Sequence, residues 1–416
     1  MIYSMKFQLG PQVKHGPSRH LGAFEKLFWL ADRNRPNQFA IAAEISGTAS
    51  NEAWQLAVTA MVRKDPSVLS AIVPDQHGEP TFLGGVASRL PVHFVEAPTS
   101  VWPLHLARHM AQPFLAAEAP LLRITVIQDA ERAAVILSAH HAIADGKSLV
   151  YWLRDLLRHI SGVAVTRSPG TRSIESLVTQ TLGPLSHAEL DAPGRDIRTR
   201  NLDGRPPTIA TASLSAEQTS QLRDAAKSRS TSIHGILCAA FGEALRETKG
   251  PQTPVRIVSP VDLRQRVLGG SEQLGMYLSG LRLVDDDPGM DFWLRAQRNS
   301  DAFDIFNFAD GIRTAVGTLD HHVASLKTSA KAIDLLARTF AADILMTNMG
   351  AVAIPSDYGA MTLEAIWGPS VTLGFEGEQT IGTSSFGGRL RLLHTSYAPV
   401  AGLLAAAVDR IIWETS

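Results

Sequence analysis

The run Ala133-Ala134-Val135-Ile136-Leu137-Ser138-Ala139, followed at once by His140-His141-Ala142-Ile143-Ala144-Asp145-Gly146, constrains this chain more than any other stretch. The apolar run reads as a buried strand. Ser148-Leu149-Val150-Tyr151-Trp152-Leu153-Arg154-Asp155-Leu156-Leu157 reads as a helix that begins directly after it. A strand end holds a side chain rigidly at a surface or cleft. Imidazole titrates near neutral pH, so two histidines and a carboxylate at such a corner are the makings of a general-base site. Histidine is scarce here, 14 of 416 residues. At that frequency His-His followed after three residues by Asp-Gly arises by chance in about a few chains per thousand. The plainer alternative is a helix N-cap, with Asp145 capping, Gly146 easing the turn and the histidines as spectators. A metal site is the other alternative. Adjacent strand residues point to opposite faces, so His140 and His141 do not readily share one ion. No Cys or Glu completes a ligand set nearby.

The length of 416 residues exceeds one ordinary domain and predicts two lobes. Hydrophobic residues at 45% and charged residues at 19% predict a large core and a soluble protein. The formal net charge of -1 argues against broad electrostatic binding to nucleic acid. Cys238 is the only cysteine, which excludes an intrachain disulfide and fits a reducing compartment; its apolar neighbours place it in a core. No long apolar stretch follows the basic residues of segment 1–16, so no signal peptide is expected there. No run of 18 apolar residues occurs, so no transmembrane helix is expected. A cytoplasmic monomer is the resulting expectation.

Along the chain, residues 1–20 read as a leading strap and 22–30 as a short amphipathic helix. A strand over 39–47 ends at glycine, and Asn51 is the expected cap of a helix through Val62. Strands are expected at 68–73, 92–95 and 121–127, with a helix near 103–110. The segment 161–206 is rich in Pro and Gly and predicts a linker or crossover, with one short helix at 174–181. The lobes are therefore expected at 1–160 and 207–416. The second opens with a strand at 208–212 and a helix at 215–229, where Ser215 and Gln218 make a capping-box pattern. A helix follows over 232–247, with His234 near its start as a packing residue. Residues 254–264 read as a strand ending in charged residues, and 276–284 as its neighbour. Helices are expected over 291–306 and 325–340, then strands at 344–350, 363–366, 374–383 and 389–397, and a closing helix at 400–412. His321-His322 has no Asp-Gly after it and reads as a loop.

The His-His-x-x-x-Asp-Gly signature resembles that of the superfamily of chloramphenicol acetyltransferase, peptide-synthetase condensation domains and plant acyltransferases. Other pieces agree in order: Leu27-Phe28-Trp29-Leu30, then Arg63-Lys64-Asp65-Pro66-Ser67-Val68-Leu69, Pro260-Val261-Asp262-Leu263-Arg264, and Thr347-Asn348-Met349-Gly350. They span nearly the whole chain and resemble most the polyketide-associated acyltransferases of the phthiocerol dimycocerosyl transferase type and bacterial alcohol acyltransferases. The plant enzymes' Asp-Phe-Gly-Trp-Gly element is absent, and neither Trp367-Gly368 nor Phe386-Gly387-Gly388 replaces it convincingly. Lys64 stands where the family often has His, read here as a surface or packing variation.

The resemblance implies an α/β (α+β) fold of two lobes, each a mixed sheet flanked by helices, with an active-site tunnel between them. It implies an acyltransferase in which His141 takes a proton from an acceptor hydroxyl or amine as that group attacks a thioester carbonyl. No covalent acyl-enzyme and no permanently bound cofactor are expected; the donor is acyl-CoA or a phosphopantetheine-linked acyl group, and an acyl or peptidyl carrier protein is a candidate partner. The motif Asp points away from the base in this family and pairs with an arginine. Arg264 is the expected partner of Asp145, with Arg266 as competitor. A carboxylate buried unpaired at a tight corner is costly, and a bidentate arginine fixes it. His140 is expected to support the corner. Gly146 N–H, at a helix start, is a candidate oxyanion donor, and Thr347 and Asn348 are tunnel candidates from the other lobe. Two other functions stay open: a freestanding condensation enzyme joining carrier-bound partners, and a silent carrier-docking module.

Overall fold

A computed structural model describes residues 19–33, 36–190, 198–201 and 203–416. The strap expected at 1–20 lies outside the described residues except for its last two. The first half runs β1 (Arg19–His20), α1 (Ala23–Asp32), β2 (Gln38–Ser46), α2 (Asn51–Lys64), β3 (Ala71–Pro74), β4 (Pro80–Leu83), β5 (Val92–Glu96), α3 (Trp102–Ala111), β6 (Leu122–Gln128), β7 (Arg132–His140) and α4 (Gly146–Ile160). A crossover carrying α5 (Ile174–Leu182) leads to β8 (Thr208–Ser213), α6 (Ala216–Ser228), α7 (Ile233–Lys249), β9 (Val255–Asp262), α8 (Arg264–Val267) and β10 (Leu278–Asp285). The chain then runs through α9 (Phe292–Asp301), α10 (Ala309–Ala324), α11 (Ser329–Phe340), β11 (Ile344–Ala351), β12 (Thr362–Val371), β13 (Gln379–Phe386), β14 (Arg389–Ser396) and α12 (Leu403–Thr415).

The apolar run that opens the motif is β7, and every residue from Ala133 to its end is buried. Its unbroken hydrophobicity is that of a central strand: it pairs with β2 on one edge and β6 on the other. The five-stranded sheet has the order β12-β2-β7-β6-β5 and a six-stranded sheet has the order β10-β9-β11-β13-β14-β8. Both are mixed: β5 runs parallel to β6, and β11 runs parallel to β9 and β13. Helix α3 packs on β2 and β7 of the first sheet, and α2 packs on α4. Helix α7 packs against α9 and α12 on the second sheet. A third group, α10 and α11, covers α1 from the other half.

The expected division at 207–416 does not follow the sheets. Strand β12 comes from the second half yet pairs with β2 of the first, Ala365 opposite Glu44 and Trp367 opposite Ala42. It also lies on β13. Stacked sheets ordinarily sit about 10 Å apart; here they approach far more closely. A Cβ added to Gly382 would meet Pro369 O at 2.0 Å. Ser384 Oγ donates to Ile366 O at 2.6 Å, and the Ser370 and Thr395 hydroxyls meet at 2.8 Å. Small and hydroxylic residues thus weld the two sheets, through one side chain-to-backbone and one hydroxyl-to-hydroxyl bond. The crossover is also more than a tether, because Ile174, Leu177 and Val178 of α5 are buried.

Other expectations are corrected in detail. Ser50, not Asn51, caps α2: its Oγ accepts from Ala53 N at 3.1 Å, while Asn51 Oδ1 accepts from Gln128. Pro66 opens a 3-10 turn over Pro66–Leu69, so the strand expected at 68–73 starts only at Ala71. Strand β4 was not anticipated. His321-His322 lies in α10 rather than a loop, on a helix whose Ile312, Val316, Leu319 and Val323 are buried. Gly311 and Gly317 hid that periodicity by lowering the helical signal.

Candidate active site

The corner between β7 and α4 is built by its own sequence. His140 ends β7, and Ile143 N donates back to His140 O at 3.1 Å to close a turn. His140 Nδ1 accepts the Ala142 N–H at 3.0 Å. Asp145 then caps α4, accepting from Ser148 N at 3.0 Å. The plain N-cap reading is therefore physically present, but it does not exhaust Asp145. Arg264 grips the same carboxylate with both terminal nitrogens, at 2.7 and 2.8 Å, and Tyr277 N donates to it at 3.0 Å. Arg266, the competitor, reaches the exposed Asn307 instead.

Arg264 opens α8, two residues beyond the end of the strand on which it was expected. Its guanidinium is buried over the Tyr277 ring at 4.9 Å and also reaches Asp262 Oδ1 at 2.9 Å and Ser148 Oγ at 2.7 Å. Asp262 in turn accepts from Lys147 at 2.8 Å. Burial alone would push the Asp145 carboxyl upward. The Arg264 charge and hydrogen bonds, with those from Tyr277 and Ser148, outweigh it and hold Asp145 below the usual carboxylate range. Burial works against the Arg264 charge too, and Asp145 more than compensates. Asp145 is thus an ionised, fully engaged anchor with no capacity left for proton relay.

His141 has a different setting. Its ring is stacked between Phe28 of α1, centroids 4.8 Å apart, and Phe39 of β2, at 4.4 Å. It is 8% exposed, and its Nδ1 is buried without a hydrogen-bond partner. Burial lowers its pKa to about 4, against an upward pull from Asp145 and from the backbone of Ala144 and His141. The ring is therefore neutral at physiological pH and carries a lone pair.

The other candidates fall in two places. Gly146 begins α4, against Pro369: an added Cβ would meet Pro369 Cγ at 2.7 Å. Gly146, Thr347 and Asn348 share the lining of a crevice of about 50 Å³ between the two halves, together with Asp145 and Arg264. His141 is not in that lining. Asn348 Oδ1 accepts from Gly350 N at 2.8 Å, so it supports its own strand end. A larger cavity, about 460 Å³, reaches the motif loop at Ile143 and is lined among others by Phe82, Pro66, Arg19 and Arg167. Lys64 also borders it, paired with Asp65 at 2.9 Å and Asp155 at 3.4 Å, so of the surface and packing readings this position takes the packing one, as an inward ionic strut.

Away from the corner, His234 bonds the buried Ser259 hydroxyl at 2.8 Å and packs edge-on to Phe303. Cys238 is buried, and burial pushes its thiol up to about 12. Sequence reasoning missed Phe28 and Phe39 as the walls of the His141 site, and Ser148 and Tyr277 as partners of the ion pair. Phe28 was visible only as part of an apolar helix face, which is what any core residue looks like.

A family model described as phthiocerol/phthiodiolone dimycocerosyl transferase C-terminus matches residues 204–269. That segment contains β9 and Arg264. The structure of polyketide synthase associated protein 5 from Mycobacterium tuberculosis is similar at a TM-score of 0.70, covering 96% of this chain and 99% of that one at 15% identity. The first condensation domain of the calcium-dependent antibiotic synthetase is similar at 0.67, covering 97% and 96% at 16% identity. The chain has the fold of the chloramphenicol acetyltransferase and condensation-domain superfamily. Within this superfamily fold, trichothecene 15-O-acetyltransferase from Fusarium sporotrichioides is similar at a TM-score of 0.67, with 95% of each chain covered at 13% identity. A linear gramicidin synthase from Brevibacillus parabrevis is 24% identical over 324 residues, which are 67% of this chain. The match spans 4% of that relative's length. Among the described residues no helix is long and apolar enough to cross a membrane.

Proposed function

We propose that the protein transfers an acyl group from a thioester donor, acyl-CoA or an acyl carrier protein, to a hydroxyl of a natural-product or lipid acceptor. The observation that carries this reading is the division of labour at one corner. His141 is neutral and ring-clamped, while Asp145 is spent on Arg264. A neutral imidazole held in place abstracts the acceptor's proton as its oxygen attacks the thioester carbonyl. The same imidazolium then returns the proton to the departing thiolate, so no acyl-enzyme forms. General-base assistance of this kind contributes roughly 10²–10⁴-fold, and holding donor and acceptor together adds an entropic advantage. Gly146 N–H at the start of α4 is the donor proposed for the oxyanion. The cavity at Ile143 supplies room for an organic chain two residues from the base.

A second reading is favoured by the likeness to condensation domains and to linear gramicidin synthase: amide or ester formation between carrier-bound partners. Mass spectrometry separates the readings. Purified protein is offered an acyl-CoA panel and an acylated carrier protein, each with alcohols and amines. Acylated alcohol that disappears in His141→Ala supports the first reading. Product only from carrier-bound donor and amine supports the second. Carrier binding with no transfer to any acceptor sinks both and leaves a docking module.

A further inference from the structure

Helix α1 ends on a carboxylate, Asp32, whose side chain is 6% exposed and faces the wholly buried His140. The tautomer of His140 follows from its neighbours. Its Nδ1 accepts the Ala142 N–H at 3.0 Å, and a backbone amide can only donate. Nδ1 is therefore bare, and the proton of the neutral ring sits on Nε2. That Nε2–H is buried and makes no well-formed hydrogen bond; it stands 3.5 Å from Asp32 Oδ2. The opposite tautomer would set an N–H of the ring against the N–H of Ala142, donor to donor.

The second oxygen of Asp32 is also committed. Its Oδ1 accepts the Asn37 N–H at 2.8 Å, just ahead of Phe39 in the chain. One helical turn before Asp32 on α1 stands Phe28. Phe28 and Phe39 are the two rings that clamp His141, at 4.8 and 4.4 Å. One carboxylate thus touches the start of the segment bearing one ring, shares a helix with the other, and faces the histidine beside the base. The Ala142 amide that His140 fixes is the next peptide after His141.

We propose that Asp32 is a positioning residue for His141. It sets its carboxylate opposite the Nε2–H that the Ala142 amide imposes on His140 and, through Asn37 and α1, keeps both aromatic walls in register with the His141 ring. The kinetic part of this inference rests on the acyl-transfer reading above; the tautomer part does not.

The test uses the full chain with ¹⁵N-labelled histidine, and His140→Gln identifies the His140 signals by their loss. The parent protein is expected to show His140 with a protonated Nε2 and a bare Nδ1. Asp32→Ala is expected to shift the His140 Nε2 signal, with Nδ1 still bare, and to lower kcat about 10- to 100-fold with KM little changed. Asp32→Asn keeps the volume and one oxygen acceptor, so it is expected to lie between; should the alanine variant not fold, this isosteric variant is judged on the same readings. A protonated Nδ1 on His140 in the parent overturns the proposal. So do Asp32 variants with parental kcat, and so does a loss of kcat with the His140 signals unchanged. If the parent shows no acyl transfer at all, the transfer reading fails, while the nitrogen signals still decide the role of Asp32.

Discussion

His141 and Asp145 lie within one turn of chain, yet the protein treats them oppositely. Both are buried, and burial opposes charge on each. Asp145 stays ionised because Arg264 and two backbone amides solvate it. His141 is clamped between two aromatic rings, and burial outweighs the pull of Asp145 and takes its charge, with a pKa lowered to about 4. The sign of the pH dependence follows. Protonation removes the lone pair of His141, the proposed base, and that occurs only in acid. The transfer rate is expected to be level from about pH 5.5 to 8 and to fall as pH drops toward about 4. A kcat/KM profile with a single falling limb near the ordinary histidine value of about 6.5 would contradict this assignment.

At the scale of elements, two contacts carry the architecture. Helix α5 of the crossover presses Glu175 onto the start of α1, where its Oε1 accepts the Phe24 N–H at 3.2 Å. Burial, helped by the neighbouring Glu25, pushes the Glu175 carboxyl up to about 7. A folded-state value above the unfolded one contributes stability that is present below the unfolded pKa and is lost as pH rises through the folded pKa. Glu175→Gln keeps the acceptor and removes the ionisation. It is expected to stabilise the protein at pH 8 by about 1–3 kcal/mol and to change little at pH 4, as read from denaturant midpoints. The second contact is the seam of β12 on β13. Gly382→Ala forces a methyl onto the Pro369 carbonyl. The expected cost is about 1–3 kcal/mol, seen as a lower midpoint with an unchanged denaturant slope.

At the scale of the molecule, the buried Asp145–Arg264 pair joins residues 119 positions apart, and Lys147–Asp262 and Arg154–Glu272 repeat that link on the same face. Removing one partner of a buried pair leaves the other charged and alone, at about 3–5 kcal/mol. Asp145→Ala and Arg264→Ala are each expected to lose stability on that order. The double variant should lose clearly less than their sum, because the same link is broken once. Strict additivity in equilibrium unfolding, or parental stability in either single variant, would show that the pair does not hold the halves together. Strand β12 makes the same point without charges, since a second-half strand completes the first-half sheet.

Local rules were enough for most elements, since a strand or helix depends on the period of its apolar residues. The run 133–139, the Ser215–Gln218 capping box and the helix over 232–247 could be read from residue spacing alone. The local rule failed where glycines interrupt a helix, as in α10, and where Ser50 competed with Asn51 to cap α2. The motif located the corner, a buried carboxylate needs a partner there, and the resemblance of segment 260–264 to the family's arginine-bearing strand pointed to Arg264. Only the tertiary structure decided which groups surround His141. Phe28, Phe39 and Asp32 come from the opposite end of the half-chain, and nothing in their local pattern separates a wall of the site from ordinary core. The tertiary structure also decided that Asp145 caps α4 and holds Arg264 at once. The charge state of each corner residue depends on burial and neighbours, and those exist only after distant segments have packed.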